Sequence, residues 1–250
     1  MSELRIALTR TAQDNRLWAA ELEAAGHTPI DVPSLAIEAI HESAPALRRA
    51  LAAAPHLLFT SARPVHGLMR IAPELSLEGR ICSCVGESSA EAARKLGARV
   101  ELVAPELDAT SLAKEWLQTN KDTGTPPLWL RAQEARAELP KAFKIAKRAL
   151  DSIAVYRTSA AETIDLALLQ TADAIFIASP SAARAITLAG ASSATARVIA
   201  IGPSTAQALE ELGWRVHGVA DERNLQGMLA ALLSNPESTK ALIPTSEPIH

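Results

Sequence analysis

Short apolar runs alternate with longer segments in which alanine, leucine, glutamate and arginine recur at helical spacing. The apolar runs predict strands at 4–9, 28–32, 56–60, 81–85, 99–103, 127–131, 151–156, 174–178, 197–201 and 215–219. The stretches around them predict helices at 12–25, 44–53, 63–72, 88–97, 109–119, 134–148, 161–170, 180–189, 204–213 and 224–234. This rhythm implies an α/β fold with parallel sheets covered by helices on both faces. Ile175-Phe-Ile177 and Leu57-Leu-Phe59 show no polar alternation, which suits strands buried on both sides.

An internal repeat points to two similar domains. Placing Val85–Leu117 over Ile201–Leu233 gives 12 identities in 33 positions without a gap, among them Gly86/Gly202, Ser88/Ser204, Leu96/Leu212, Gly97/Gly213 and Val100/Val216. Phe59-Thr-Ser-Ala62 likewise resembles Ile177-Ala-Ser-Pro180, and Leu8-Thr-Arg10 has a counterpart in Trp129-Leu-Arg131. The chain therefore reads as a short unit, a long unit, and both again. Each short unit joins the long unit after it, or the halves are exchanged; periodicity leaves both open. Ser34–Ile40 and Ser152–Thr158 are extended in character and suit a two-stranded link.

Composition narrows the function. Alanine fills 50 of 250 positions, while aromatic residues make up 3% with a single tyrosine, Tyr156, so platforms for stacking nucleobases are scarce. A net charge of −3 supplies no field for polyanions. No apolar stretch reaches membrane-spanning length. Met1-Ser-Glu-Leu-Arg5 lacks the pattern of a signal peptide, and Cys82 and Cys84 read as reduced strand thiols, so a cytoplasmic protein is expected.

Ligands of parallel sheets bind beyond the carboxyl ends of the strands. The residues there are Thr9, Arg10, Thr60, Ser61, Arg63, Ser88, Ser89, Arg131, Ser179, Ser181, Ser204 and Thr205. Small hydroxylated residues at helix starts serve as N-caps. The same turns expose backbone N–H groups at the positive end of a helix, which suits carboxylates or phosphates. Such turns on two similar domains suggest a cleft for a ligand with several acidic groups. The six histidines have no zinc-type spacing and read as surface or edge residues. Dinucleotide, P-loop and nucleophile-elbow motifs are absent. The basic stretch Lys141–Arg148 reads as a solvated helix face. Tyr156 is either a packing residue or a proton donor.

Leu58-Phe-Thr-Ser61, Val85-Gly-Glu-Ser-Ser-Ala90, Leu130-Arg131, Val155-Tyr-Arg-Thr158, Ala178-Ser-Pro-Ser181 and Ile201-Gly-Pro-Ser-Thr-Ala-Gln-Ala-Leu209 together resemble the uroporphyrinogen-III synthase family. The match in order and spacing covers roughly residues 4–234. The resemblance implies the exchanged arrangement of two flavodoxin-like domains. One would be 1–34 plus 160–235, the other 41–150, with a β link at 35–40 and 151–159 and a tail at 236–250. It implies a lyase acting on hydroxymethylbilane, a linear tetrapyrrole with eight carboxylates. The reaction loses water and closes the macrocycle with inversion of the terminal ring, without metal or organic cofactor. Tyr156 matches the family's tyrosine thought to assist departure of the hydroxyl. Thr205 matches the second hydroxyl of its Gly-Pro-Thr-Thr turn, where Ser204 replaces the first threonine. Ser89 stands where threonine is usual, and Ser61 and Ser179 match paired serines on facing turns. Arg10, Arg63 and Arg131 are assigned to carboxylate arms from position. The expected protein is a monomer that receives its substrate from hydroxymethylbilane synthase and binds neither nucleic acid nor membrane. The competing readings are a non-catalytic clamp for an acidic tetrapyrrole or other polycarboxylate, and a mononucleotide-binding protein of flavodoxin type.

Overall fold

The structure, a computed structural model, describes residues 3–106, 108–121, 124–192 and 196–234. The expected tail at 236–250 lies outside the described residues. In chain order the elements are β1 (Arg5–Leu8), α1 (Ala12–Ala24), β2 (Thr28–Asp31), β3 (Leu35–Ala39), α2 (Ala44–Ala53), β4 (His56–Phe59), α3 (Arg63–Ile71), β5 (Ile81–Cys84), α4 (Glu87–Lys95), β6 (Arg99–Val103) and α5 (Ala109–Thr119). There follow β7 (Leu128–Ala132), α6 (Glu138–Ile145), β8 (Asp151–Ala160), α7 (Leu166–Leu169), β9 (Ala174–Ile177), α8 (Pro180–Leu188), β10 (Arg197–Ala200), α9 (Pro203–Glu211), β11 (Gly218–Val219) and α10 (Leu225–Leu233).

The chain forms two compact units, Met1–Ala36 with Ser159–His250, and Ile37–Thr158. The first carries a five-stranded sheet in the order β11-β10-β9-β1-β2, paired in parallel throughout. Its three central strands, β10, β9 and β1, are buried on both faces. Ile6, Leu8, Ala174, Phe176 and Ile199 pack with α10 on one side, and Ala7, Ile175, Ile177, Val198 and Ala200 with α8 and α9 on the other. That two-sided burial is why these runs carry no polar alternation.

The second unit carries β3-β8-β7-β4-β5-β6. The pairs from β8 to β6 are parallel. β3 runs against β8: Ile40 N–H donates to Val155 O while Ala161 N–H donates to Ser34 O, so one number falls as the other rises. Leu57, Phe59, Leu128 and Leu130 face the α3–α4 side. Leu58 and Trp129 face α5 and α6, with Trp116 and Phe143.

Several elements differ from the sequence expectation. The helix predicted at 134–148 begins only at Glu138. Pro140 sits in its first turn, where a missing N–H costs nothing; started at 134, the helix would have had this proline in its interior. The helix predicted at 161–170 is the single turn of α7, capped by Asp165, whose carboxylate accepts Leu168 N–H at 2.7 Å. The strand predicted at 215–219 is reduced to Gly218–Val219. There His217 Nδ1 accepts Val198 N–H at 3.0 Å in place of a backbone acceptor. His27 is buried, not a surface residue, and its Nδ1 accepts Leu4 N–H.

Candidate functional site

Parallel pairing puts the carboxyl ends of the strands it joins at one edge, and the candidate binding residues follow such an end, apart from Arg131, which lies one residue before the end of β7. In the first unit Thr9 is fully buried, and its hydroxyl donates to Phe176 O at 2.8 Å, tying the ends of β1 and β9 together. Arg10 lies over the Trp18 ring at 4.3 Å with Asp14 at 3.6 Å. Asn15 fixes that turn: it accepts Arg10 N–H and donates to Leu8 O and to Asp31. Ser179 caps α8 by accepting Ala182 N–H at 3.1 Å. Ser181 and Ser204 are exposed, whereas Thr205 is buried.

In the second unit Ser88 is exposed and Ser89 is buried, the same alternation as Ser204 and Thr205 at the repeated positions. The Ser89 hydroxyl donates to Val85 O at 2.8 Å. The turn before it needs glycine, because Gly86 has φ 75°. Gly202, its repeat partner, is extended at φ 172°. Thr60, Ser61 and Arg63 are half-buried where β4 runs into α3. Arg131 is folded over its own chain, donating to the carbonyls of Ala132 and Gln133 at 2.8 and 2.9 Å and lying over Trp129 at 5.8 Å.

Tyr156 owes its setting to an irregularity. β8 pairs with β7 as Arg131↔Ala154, then Ala132↔Tyr156, so Val155 is an extra residue. Neighbours on a regular strand face opposite sides, but Val155 and Tyr156 both enter the same core. Gln133 N–H donates to Tyr156 O at 2.7 Å and holds the offset. Tyr156 is 7% exposed, and no hydrogen bond to its hydroxyl is found among the described residues.

Tyr156 lines a cavity of about 480 Å³ within the second unit. Thr60 is the other candidate residue in its lining; Ser61, Arg63, Ser88, Ser89 and Arg131 are outside it. Trp129, Leu139, Thr110, Glu134 and Arg136 line it as well, and sequence reasoning missed them. The predicted helix at 134–148 hid the last two, and Pro140 was the signal that separates them from α6. A smaller cavity in the first unit, about 290 Å³ and lined by Leu166, Leu169 and Ile175 among others, includes none of the candidate residues.

Among the described residues no cluster of His, Cys, Asp and Glu suits a metal ion, and no helix is long and apolar enough to cross a membrane. The family model described as Uroporphyrinogen-III synthase HemD matches residues 17–230. No curated protein sequence matches significantly. Among solved structures the chain is similar to the uroporphyrinogen-III synthetase from Helicobacter pylori 26695, at 16% identity and a TM-score of 0.64, over 93% of this chain and 99% of that one. It is also similar to a mutant uroporphyrinogen III synthase from the extremely thermophilic bacterium Thermus thermophilus, at 20% identity and a TM-score of 0.49, over 93% and 98%. The Helicobacter likeness concerns the fold: two sheets, dominated by parallel pairing and flanked by helices.

Proposed function

The chain belongs to the uroporphyrinogen-III synthase family, and we propose that Tyr156 and the turns at the carboxyl edges of its two sheets carry out that reaction. The protein is an enzyme of tetrapyrrole synthesis that converts hydroxymethylbilane into uroporphyrinogen III. We assign it to the carbon–oxygen lyases: the C–O bond of the terminal hydroxymethyl group breaks and water leaves. The freed methylene bonds to the substituted α-carbon of the terminal ring, giving a spiro intermediate. The older C–C bond from that carbon to the preceding bridge breaks, and the bridge bonds again at the ring's other α-carbon, which inverts the ring. Tyr156 O–H gives the proton that accompanies the hydroxyl. The ring carbon that sheds a proton restores it, so substrate equals product plus one water.

Tyr156 is the observation that carries this reading. A nearly buried phenol, open to a cavity and without a hydrogen-bond partner among the described residues, has its donor available for a ligand. Around it we assign substrate binding to Thr60, Ser61, Arg63, Ser88, Ser89 and Arg131, and in the first unit to Thr9, Arg10, Ser179, Ser181, Ser204 and Thr205. Thr9 and Ser89 act through turn shape, since their hydroxyls already donate to the backbone. The arginines meet carboxylates as charge-assisted pairs. The substrate closes on its own to the non-inverted isomer, so the enzyme's task is largely to hold the reacting ends in the geometry that inverts the ring. We assign the working form to a monomer in the cytoplasm, supplied by the enzyme that makes hydroxymethylbilane.

The test is to supply hydroxymethylbilane generated in situ, oxidise the products and separate the porphyrin isomers. Predominantly isomer III supports the assignment. Isomer I alone, from folded protein, overturns it.

A further inference from the structure

The floor of the Tyr156 cavity is apolar, made by Pro64, Val85, Trp129 and Leu139. Its rim is charged and comes largely from the starts of two helices. Ala109 and Thr110 form the first turn of α5, where backbone N–H groups lack partners within the helix. Asp108 caps that turn by accepting Ser111 N–H at 2.7 Å. Arg136 stands on the segment leading into α6 and makes no ion pair among the described residues, although Glu134 and Glu138 flank it in sequence. Two nearly buried donors in the lining are also unpartnered there: the Tyr156 hydroxyl, and the indole N–H of Trp129, a residue 4% exposed. His56 Nε2 and Trp116 Nε1 also lack a hydrogen-bond partner among the described residues, but neither residue lines this cavity, whereas the two donors line it where a ligand can enter. The volume falls in the range of small-molecule sites.

We propose that this rim receives one carboxylate arm of the substrate, with Arg136 as the cation and the first turn of α5 as the source of N–H donors. The ring bearing that arm then lies over the apolar floor beside Tyr156. The Asp108 carboxylate is engaged with Ser111 N–H, and together with Glu134 and Glu138 it limits the rim to a single arm, since a second carboxylate would meet like charge. The inference rests on the function proposed above and adds a subsite contained in the second unit.

The experiment compares the wild-type chain with Arg136→Gln and Arg136→Lys, using hydroxymethylbilane made in situ. Arg136 is exposed, so the variants fold. Arg136→Gln raises KM about tenfold, with kcat within about twofold and isomer III still the product at saturation. Arg136→Lys keeps the charge and holds KM within about threefold of wild type. An unmoved KM in Arg136→Gln, or the same rise in both variants, overturns the subsite. A wild-type chain that gives only isomer I removes the reaction instead, and the two failures are therefore separate.

Discussion

Gly67 on α3 and Val155 on β8 touch so closely that a side chain would have to push its neighbour by a few tenths of an ångström: a Cβ on Gly67 would lie 3.1 Å from the Val155 carbonyl oxygen and 3.2 Å from its Cγ2. Val155 is the extra residue of the β8 bulge, and the next residue is Tyr156. A methyl group there pushes on the backbone that aims the tyrosine. In Gly67→Ala, gained helix propensity of roughly 1 kcal/mol offsets part of the cost. We expect Tm to move by less than about 4 °C. We expect kcat to fall at least about threefold through misplacement of the phenol. An unchanged kcat would uncouple the bulge from catalysis.

Tyr156→Phe removes the proposed proton donor while keeping the ring that fills the core. Turnover should slow by less than about a hundredfold, because water can still protonate the leaving hydroxyl. Isomer I should rise in the product as unassisted closure competes. Complete loss of activity in a folded variant would mean that the hydroxyl does more than donate a proton.

His56 and His217 are both pulled below the ordinary imidazole value of 6.5, chiefly by desolvation. Glu101 opposes this at His56 and Arg99 adds to it. Arg215 and Arg197 add to it at His217. A depressed folded-state value stabilises the fold above the unfolded value and loses that contribution as pH falls through it. Tm should therefore drop as pH falls below 6.5. His56→Phe, packed edge-on to Trp116 as the imidazole is, should flatten the slope. A slope equal to wild type would assign the acid sensitivity elsewhere.

Burial pushes the thiols of Cys82 and Cys84 up to about 12. At pH 8 only about one thiol in ten thousand is ionised, and the thiolate is the reactive form. DTNB should leave both cysteines untouched in the native protein and titrate two after denaturation. The raised values stabilise the fold below the unfolded value of 9.0, and that contribution fades as pH climbs toward 12. Fast native-state labelling would mean that the β5 region opens readily.

A Cβ on Gly227 would overlap the Glu222 carbonyl oxygen, and Asn224 Oδ1 accepts Gly227 N–H at 2.8 Å. Gly227→Ala must break the turn that starts α10. We expect a loss above about 2 kcal/mol in urea unfolding. Asn224→Ala removes only the cap and should cost about 1 kcal/mol. Equal effects would mean that the turn yields without strain.

The layered α/β fold was legible because strands buried on both faces must be continuously apolar, as Ala174–Ile177 is. The repeat also carried detail: Ser88 with Ser89 and Ser204 with Thr205 share one exposed and one buried position. Boundaries failed where one residue competed with the pattern. Pro140 delayed α6, and the His217 side chain took over part of a ladder. At the site, a hydroxylated residue after a strand reads the same whether its oxygen is free or spent. Thr9 and Ser89 spend theirs on carbonyls 167 and 4 residues away. The inward aim of Tyr156 depends on a register shift that no local pattern encodes.

The order of synthesis gives the split first unit a cost of its own. Arg5 N–H reaches the Asp173 carboxylate, 168 residues later, and β1 pairs with β9 only after all of Ile37–Thr158 has been made. On the ribosome, β1, α1 and β2 must wait as an unfinished edge carrying Ile6, Ala7 and Leu8 while the second unit folds. Chains cut short after residue 158 would keep that edge open for good, with a folded second unit and an aggregation-prone stub, which makes them natural clients for chaperones and proteases.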